Sequence, residues 1–496
     1  MNLPSTVNQK AINLGIFVAL YVIVLLFLIT KGFFLIAVLF SLFPFAAMLS
    51  TKRNNLYFLT ILSSVALLGV PGIRFESVSL GFLLQLVVLV FFVQDLLIRH
   101  KKLPRLDASD VFLLIFLANV VVTASIRGFG FLRFGGNMVG GMFYVQVITA
   151  FLFYLYLKTL NIKPHVLERL FVFMVIASAI PFFVQAAVTN IPSLYPMADF
   201  FVFSKFRVFQ SAELLADGRT GRYESVVNFS YLLICMGTIL KSEKKNWGLI
   251  LAIIGVILLL MSGFRRYAVL SLFVFVACMI FLSKNRILGV IGWGGLGAFA
   301  ALCIYLFASL LPFNVQRAIA FIPGVQVDVE ATKSTEGSFE WRMEIYRLCW
   351  DDLPNHLLIG KGFLDSLEDK IDQLSYASLF GTGPYYAYLT RNYHSGILEL
   401  ILTQGLLGFL SFLFLCITML RKIGRHINKH RDDSRVWRIL AVLYCVCIAM
   451  LIDYFSVRGE FRNFLAPFLL FFGTLMLMYR AHYGMINSNN KTNSSI

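Results

Sequence analysis

The sequence predicts an all-α protein, a polytopic transmembrane helical bundle of about fourteen spans. Of its 496 residues, 59% are hydrophobic and only 14% are charged, whereas a soluble domain averages about a quarter charged residues. Uninterrupted apolar runs of about twenty residues, the length that crosses a bilayer core, recur from end to end. The scarcity of charge and the 15% of aromatic residues also exclude a disordered chain.

The predicted spans are the apolar runs between polar breaks. Seven are expected in the first part of the chain, near residues 11–30, 32–49, 55–71, 78–98, 111–126, 138–157 and 170–189. Seven more are expected near residues 225–240, 247–262, 267–283, 287–311, 396–420, 437–456 and 464–482. The first run is too long for a signal-peptide core and lacks a small-x-small cleavage site, so we interpret it as a retained span.

Basic residues predict the orientation of the chain. With the amino terminus in the cytoplasm, the inside segments and both termini hold 24 of the 43 Lys and Arg residues, and five short outside connections hold eight. Cytoplasmic loops ordinarily carry such an excess. Both termini are therefore expected to be cytoplasmic. We expect a single transmembrane domain at 1–486, long outer loops at 190–224 and 312–395, and a disordered cytoplasmic tail at 487–496.

The net charge of +17 makes nucleic acid the usual first hypothesis for a partner. Most of the basic residues serve to orient the chain, however, so no nucleic-acid partner is expected. Six of the seven cysteines lie inside apolar runs, and there is no C-x-x-C element or Cys/His cluster with zinc spacing. No metal site is therefore expected.

The larger outer loop is predicted to be partly helical. Between Ser338 and Leu353, apolar residues recur at the spacing of one helical stripe; they are Phe339, Met343, Tyr346, Trp350 and Leu353. Charged residues occupy the other faces, and Pro354 is expected to end the helix. A helix with aromatic residues on one side and mixed charge on the other is typical of the membrane–water boundary.

Two elements of the second half carry a family resemblance. His394 stands at the mouth of a span, followed by Leu398-Glu399 and by Gly405-Leu-Leu-Gly408 before an aromatic-rich run. In the preceding loop, Arg342 is followed by Trp350, Pro354, Asn355 and the element Gly360-Lys361-Gly362-Phe363. Both resemble the signature of the O-antigen ligase and polymerase superfamily, which comprises WaaL-like and Wzy-like proteins.

Three looser elements are similar to the same family. Ser262-Gly263-Phe264-Arg265-Arg266 resembles the Ser-Arg opening of a span, with Phe264 and the second Arg as departures. Arg219-Thr220-Gly221 approximates an Arg-x-x-Gly stretch, and the spacing from Arg207 to Gly218 resembles a motif of some Wzy-like loops. The resemblance covers about residues 205–420, while the first two hundred residues match only in topology.

The resemblance implies a glycosyltransferase of the bacterial cytoplasmic (inner) membrane with its active site facing the periplasm. Its donor would be a glycan linked through pyrophosphate to undecaprenol, and its acceptor a second glycan. No nucleotide sugar, metal or other cofactor is implied. Membrane lipids and a chain-length regulator protein are the further expected partners.

This chemistry assigns roles to individual side chains. The catalytic residues are expected to be Arg342, which would stabilise the pyrophosphate, and His394, whose pKa near neutrality suits a general base for a sugar hydroxyl. The residues assigned to substrate binding are Arg265, Arg266, Arg219, Arg222, Arg207 and Glu399.

Structural roles remain open for the same residues. An Arg at the outer end of a span is often a headgroup anchor, and a lone interfacial His is often structural. Glu399 lies one to two turns into its span, where an unpaired carboxylate would cost about 2–3 kcal/mol. Two arrangements would avoid this cost: the carboxylate of Glu399 faces a water-filled cleft, or it forms an ion pair with an Arg of the outer loop.

Four functions are compatible with the sequence. A polymerase joining lipid-linked repeat units is favoured, because fourteen spans and two long outer loops suit Wzy-like proteins. A ligase that moves the finished glycan onto lipid A core uses the same donor, and a protein O-glycosylating relative is a smaller possibility. A transporter would be expected to show mid-membrane charges, broken helices or paired repeats, whereas most span centres here lack charge.

Overall fold

The computed structural model describes most of residues 106–493. Gaps fall at 130–137, 140, 161–163, 192, 194–224, 244, 262–264, 312, 321, 382, 432–433 and 460. Before residue 106 it describes only positions 74–75, 78–79, 85, 89, 92 and 96. The first three predicted spans, most of the fourth and most of the loop at 190–224 therefore lie outside the described residues.

The described chain is almost entirely helical. The helices of its first part are α1 Ala108–Arg127, α2 Met142–Thr159, α3 Pro164–Asn190, α4 Ser225–Ser242, α5 Asn246–Met261, α6 Arg265–Leu282 and α7 Arg286–Leu306, of which Val290–Gly294 is π-helical. Those of its second part are α8 Phe313–Ile319, α9 Val329–His356, α10 Leu367–Phe380, α11 Pro384–Leu389, α12 Gly396–Lys429, α13 Arg435–Asp453 and α14 Phe461–Asn493.

Strands are limited to two pairs of two-residue segments in the part of the chain that is described. β1 (Arg74–Phe75) pairs antiparallel with β2 (Val78–Ser79). β3 (Met138–Val139) pairs antiparallel with β4 (Asp365–Ser366), with Met138 opposite Ser366. The second pair joins the loop before α2 to the outer loop.

The all-α class of the prediction is confirmed, and five helices are long and apolar enough to cross a membrane. These are Ala108–Arg127, Arg286–Leu306, Gly396–Lys429, Arg435–Ser456 and Phe464–Ile486. The protein is thus a multi-pass membrane protein, while the count of fourteen spans and the cytoplasmic termini stay predictions. Helix α14 runs to Asn493 and so includes most of the polar tail for which the sequence predicts disorder.

One end of the bundle is fixed by a charged network. Asp107 caps α1 by accepting hydrogen bonds from the backbone of Ser109 and Asp110. Lys158 of α2 forms ion pairs with Asp107, at 3.4 Å, and with Asp110, and Lys422 of α12 also pairs with Asp107. The carboxylates stand at the amino end of α1, where the helix dipole favours negative charge. Their ion pairs with Lys158 and Lys422 join α1 to α2 and α12.

Helix α12 is broken at Gly405. This residue has φ +69° and ψ 178°, a conformation that only glycine adopts readily. The break frees backbone groups at the depth of a membrane span, where each must find a partner within the protein. The side chain of Asn119 in α1 donates to the carbonyl of Gln404 at 2.8 Å.

The loop after α9 supplies hydrogen-bond partners for further backbone groups at this break. The backbone N–H of Lys361 donates to the carbonyl of Leu402 at 2.7 Å, and that of Gly362 donates to Thr403 at 2.9 Å. The carbonyl of Leu357 accepts from the N–H of Leu406 at 2.8 Å. The Gly-Lys-Gly element of the sequence is therefore a backbone plug that restores the hydrogen bonding of a broken helix.

The outer-loop helices share a small core with the beginning of α12. Its buried residues are Ile345, Cys349, Ala387, Tyr393, Leu398 and Leu402. Of the predicted apolar stripe on α9, Tyr346 and Leu353 pack against this core, whereas Phe339, Met343 and Trp350 are exposed. The contact of α9 with the membrane–water boundary stays a prediction. The expected end at Pro354 is wrong by two residues, because α9 continues to His356.

Candidate functional site

Two residues expected to be catalytic lie on segments that meet. On α9, the ring of Trp341 lies 5.1 Å from the ring of His394, in an edge-to-face arrangement. One turn further, the hydroxyl of Tyr346 donates to the backbone carbonyl of His394 at 3.0 Å. Arg342 lies between Trp341 and Tyr346 in the sequence of α9. We call these four residues the Arg342–His394 cluster.

The backbone of His394 is held in an uncommon conformation. Its φ is +52°, in the left-handed region that residues with a side chain rarely adopt. Gly459 packs so closely that a Cβ on it would lie 2.5 Å from the nitrogen of Ser395 and 3.0 Å from that of His394. Residues held in sparsely populated conformations cluster at functional sites, so the position fits the role that the sequence assigns to it.

The guanidinium of Arg342 retains hydrogen-bonding capacity. The residue is half-buried, and its buried Nε has no hydrogen-bond partner among the described residues. Burial raises the pKa of the Tyr346 hydroxyl, and the positive charge of Arg342 opposes that rise. Arginine is well suited to phosphate because its planar fork makes bidentate contacts and stays charged.

Glu399 has a partner that the sequence did not indicate. Its carboxylate is buried, and both of its oxygens lie 2.6 Å from the backbone nitrogen of Phe461, the first residue of α14. The carboxylate thus occupies the amino end of a helix, where unsatisfied N–H groups and the helix dipole favour it. Its assignment to substrate binding stays a prediction beside this structural role.

The side chains of the remaining predicted arginines lie outside the part of the chain that the structure describes. Arg265 and Arg266 form the first turn of α6, and their side chains lie outside the described part of the chain. Arg207, Arg219 and Arg222 lie outside the described residues altogether. Their assignment to substrate binding therefore stays a prediction.

A second polar site lies beside the plug in α12, and sequence reasoning missed it. It is a cavity of about 320 Å³. Its lining residues are Arg127, His356, Lys361, Ser366, Asp369, Tyr388, Leu389, Arg391 and Tyr393. Because three cations from three separate segments line it, we call it the cation cavity.

Lys361 belongs to a hydrogen-bonded group of three. Its ammonium forms an ion pair with Asp352 and donates to the hydroxyl of Tyr388 at 2.9 Å. That hydroxyl donates in turn to Asp352 at 2.7 Å. Burial favours a higher pKa for Asp352, but the bonds from Lys361 and Tyr388 outweigh it and leave this pKa below its usual range.

Arg391 connects the cavity to β4 and α10. It pairs with Asp365 at 2.9 Å and more loosely with Asp369 at 3.7 Å, and it also donates to the carbonyl of Gly362. Arg127, the last residue of α1, donates through Nε to the carbonyl of Gly360 at 3.2 Å. Two arginines thus donate hydrogen bonds to backbone carbonyls of the plug.

An imidazole faces these cations. Nε2 of His356 lies 3.3 Å from Asp352, one turn earlier on α9, and Nδ1 has no hydrogen-bond partner among the described residues. Burial lowers the pKa of His356; Asp352 opposes this, and the charges of Lys361, Arg127 and Arg391 lower the pKa further. Together these effects favour the neutral form of the imidazole.

Arg342 of the cluster and His356 of the cavity lie far apart along one helix. Arg342 and His356 are fourteen positions apart on α9, which corresponds to about 21 Å at 1.5 Å per residue. One phosphate group cannot contact both. The structure thus holds two polar sites, the Arg342–His394 cluster and the cation cavity, which adjoin where Tyr393, a residue that lines the cavity, directly precedes His394.

The sequence contained a signal for part of the cavity. Asp352 and His356 have the i,i+4 spacing that places side chains together on a helix, and Lys361 stands in the quoted Gly-Lys-Gly element. Arg127 and Arg391 carry no local signal, because their contacts join segments far apart in the chain. Among the described residues, no group of three or more His, Cys, Asp or Glu side chains is placed to hold a metal ion.

Comparison with known families agrees with the resemblance. Residues 250–413 match the family model Wzy_C, described as O-antigen ligase. No curated protein matches the chain. The matched segment contains the Arg342–His394 cluster and, apart from Arg127, all the residues that line the cation cavity. Residues 250–413 therefore form an O-antigen ligase-type domain, which supports a membrane enzyme of the ligase/polymerase type acting on lipid-linked glycans.

Proposed function

We propose that the protein polymerises undecaprenyl-pyrophosphate-linked repeat units into O-antigen or capsular or extracellular polysaccharide. The reaction would take place on the periplasmic face of the bacterial inner membrane. The observation that supports the proposal is the contact of His394 with Trp341 and Tyr346, the residues on either side of Arg342 along α9, inside the matched domain. Arg342 and His394 are 52 positions apart in the sequence. A chain-length regulator protein is the proposed partner.

The chemistry assigns one task to each residue of the pair. A sugar hydroxyl attacks the anomeric carbon of the donor while the bond from that carbon to the pyrophosphate oxygen breaks. The leaving pyrophosphate keeps the electron pair, and the charge of Arg342 stabilises it. His394 accepts the hydroxyl proton, a contribution that is typically about 10²–10⁴-fold.

The other assigned residues support this centre. Arg265, Arg266, Arg207, Arg219 and Arg222 are proposed to bind the phosphates of the lipid carrier. Glu399 holds the start of α14 against the start of α12, and we propose that it also shapes the substrate site from below. Neither a metal nor a nucleotide sugar is part of the proposal, so transfer should proceed in EDTA with the lipid-linked donor alone.

A ligase is the second candidate, because the description of the matched family names that activity. The donor and the bond that breaks are the same in both reactions. Only the acceptor differs: a lipid-linked repeat unit for the polymerase and lipid A core for the ligase.

A transporter is the third candidate, since the break in α12 at Gly405 is a feature that transporters use. In this protein the carbonyls of Leu402, Thr403 and Gln404 are bonded by Lys361, Gly362 and Asn119. A break filled in this way favours a fixed scaffold over a moving gate.

One reconstitution separates the three candidates. The purified protein is supplied with undecaprenyl-pyrophosphate repeat units and, in a parallel reaction, with lipid A core. A ladder of lipid-linked products supports the polymerase, and transfer only to lipid A core supports the ligase. Transbilayer movement of intact substrate without bond formation would overturn both and support transport.

A further inference from the structure

Another cavity lies at the end of the bundle opposite the Arg342–His394 cluster. It has a volume of about 560 Å³ and lies between α3, α4 and α13, and we call it the three-helix cavity. Arg435, the first residue of α13, lines it. At the other end of this helix, the hydroxyl of Tyr454 donates to the carbonyl of Gly396 at 3.1 Å, two residues after His394.

Helix α13 thus connects the cavity to the level of the cluster. The candidate span Arg435–Ser456 has 22 residues, which corresponds to about 33 Å at 1.5 Å per residue. The hydrocarbon core of a bilayer is about 30 Å thick. The three-helix cavity and the Arg342–His394 cluster therefore lie near opposite faces of the membrane.

The lining of the three-helix cavity changes from charged to apolar with depth. Its charged residues lie in the first two turns of α3, just after α4 and at the start of α13; they are Glu168, Arg169, Glu243, Lys245 and Arg435. Its apolar residues lie about one to two turns deeper, with Val172 on α3, Met236 on α4 and Ile439 on α13. A phospholipid with its headgroup outward has the same polarity.

The apolar part of the cavity continues into an exposed apolar surface on α3. Val172 is 40% exposed, and Ile176, one turn further along the helix, is 61% exposed. Exposed apolar surface of this kind marks contact with a membrane. An acyl chain can therefore enter the cavity from the bilayer without crossing a polar layer.

Ion pairs within the protein occupy the two carboxylates at the mouth of the cavity. Nε and Nη2 of Arg435 bond the two oxygens of Glu243 at 2.7 and 2.9 Å, and Nη1 lies 3.3 Å from Glu168. The hydrogen bonds from Arg435 hold the pKa of Glu243 below its usual range. Lys245 and Arg438 lie 3.6 and 3.4 Å from the same carboxylate. Three cations therefore share Glu243.

The mouth of the cavity has positive charge left for a ligand. Arg169 is exposed, and among the described residues no carboxylate forms an ion pair with it. The buried Nε of Arg438 has no hydrogen-bond partner in the described part of the chain. With the three cations around Glu243, Arg169 makes four cations against two carboxylates. Basic pockets between membrane helices are suited to anionic lipid headgroups.

We propose that the three-helix cavity binds one anionic phospholipid from the membrane leaflet opposite the Arg342–His394 cluster. Arg169 and Lys245 bind its phosphate, and one of its acyl chains fills the apolar part. A zwitterionic phospholipid lacks the net negative charge and free phosphate lacks the chain, so neither matches both parts of the cavity. The bound lipid joins α3, α4 and α13.

Lipid binding to the purified full chain tests the site without any transfer reaction. The protein in detergent is titrated with dioleoyl phosphatidylglycerol or dioleoyl phosphatidylcholine, and native mass spectrometry counts the bound lipids. The wild type should bind one phosphatidylglycerol with a Kd about fivefold or more below that for phosphatidylcholine, because each basic residue near a headgroup contributes about this factor. Inorganic phosphate at equal concentration should not displace it.

The charged part of the site is tested by Arg169→Gln, which should raise the Kd for phosphatidylglycerol about fivefold. Lys284→Gln is the matched control, because it removes an equal charge from an exposed lysine at the same end of the bundle. The carbonyl of Lys284 accepts from Arg431, four residues before Arg435. The Kd of this control should equal that of the wild type.

The apolar part is tested at constant charge. Val172→Trp should fill the space for the acyl chain and weaken phosphatidylglycerol binding by a similar factor. Ile176→Trp, one turn away and outside the lining, should bind as the wild type does. Both positions are exposed, so the unfolding temperatures of the two variants without added lipid should stay near that of the wild type.

Three results would overturn the proposal. The first is equal affinity of the wild type for phosphatidylglycerol and phosphatidylcholine. The second is displacement by inorganic phosphate at equal concentration, which would assign the site to a free anion. The third is a wild-type Kd in Arg169→Gln or in Val172→Trp, and if one of these variants fails to fold, the other decides. A wild type without transferase activity would overturn the proposed function but leave these results unchanged.

Discussion

The carboxylate of Glu399 accepts the hydrogen bond of the Phe461 backbone nitrogen, with both of its oxygens 2.6 Å away. The contact joins the first turn of α12 to the first turn of α14, 62 positions apart in the chain. A buried carboxylate in a membrane span usually indicates function. Here the end of a neighbouring helix supplies its partner, so the residue first stabilises the bundle.

Removing this carboxylate should destabilise the protein. Glu399→Ala leaves the N–H of Phe461 buried without an acceptor, which should lower the free energy of unfolding by about 1–3 kcal/mol. Glu399→Gln keeps one acceptor oxygen and should cost less. Thermal unfolding in detergent measures both variants. A Glu399→Gln variant with wild-type stability and no transferase activity would favour the substrate-binding role over the structural one.

The break in α12 should tolerate only glycine. A Cβ on Gly405 would lie 2.4 Å from the carbonyl oxygen of Leu358, and one on Gly360 would lie 2.1 Å from the carbonyl carbon of Thr403. Gly405→Ala would also force a side chain into a glycine-only conformation, at a cost of about 1–3 kcal/mol. Both variants should unfold at lower temperature than the wild type.

Gly337 in α9 provides the matched control, because a Cβ there would meet nothing within 4 Å. Gly337→Ala should leave the unfolding temperature unchanged or raise it, since alanine is the better helix former by about 1 kcal/mol. Equal unfolding temperatures for Gly405→Ala and Gly337→Ala would contradict the plugged break.

The imidazole of His356 should make stability depend on pH. Burial and the surrounding cations lower its pKa in the folded state below the ordinary value of about 6.5. The unfolded chain therefore binds this proton more readily, and stability falls as the pH drops below about 6.5. The unfolding temperature of the wild type should decrease between pH 7.5 and pH 5 more steeply than that of His356→Gln. Parallel curves would show that the cavity does not disfavour the charged imidazole.

Tyr346 should act on activity through His394. Its hydroxyl bonds the His394 carbonyl at 3.0 Å and so helps to hold the uncommon backbone conformation of that residue. Tyr346→Phe should lower kcat on the order of tenfold, the equivalent of about 1.4 kcal/mol, with little change in the KM for the donor. Tyr385→Phe, on α11 outside the cluster, is the control. A wild-type kcat in Tyr346→Phe would show that this bond does not position His394.

The sequence predicts the helices better than it predicts the breaks in them and the contacts between distant segments. Apolar runs locate the starts of α1 to α7 and of α12 to α14 within six residues, because an apolar run depends only on local composition. The ends of α12 and α14 lie well beyond their apolar runs, at Lys429 and Asn493. The sequence does not predict the break at Gly405: the element Gly405-Leu-Leu-Gly408 enters the sequence analysis only as part of the family resemblance. A plug that comes from a different loop leaves no periodic pattern in the chain.

The candidate site was likewise predicted only in part. Arg342 and His394 were predicted from a resemblance, and the structure places their segments in contact. The sequence draws attention to Glu399 because an unpaired carboxylate is costly in a span. Its partner is the backbone nitrogen of Phe461, and the side-chain types in a sequence do not indicate a backbone partner. Nothing in the sequence singles out Arg127, because its place in the cation cavity depends on long-range packing.

Transfer by single-residue variants tests the central claim most directly. Wild type, Arg342→Ala, His394→Ala and the control Lys333→Gln are reconstituted at equal amounts and supplied with undecaprenyl-pyrophosphate repeat units, and lipid-linked products are resolved by length. Wild type and control should form a ladder. Arg342→Ala and His394→Ala should form none, although both insert into the membrane and unfold near the wild-type temperature. A normal ladder from either variant would contradict the assigned centre.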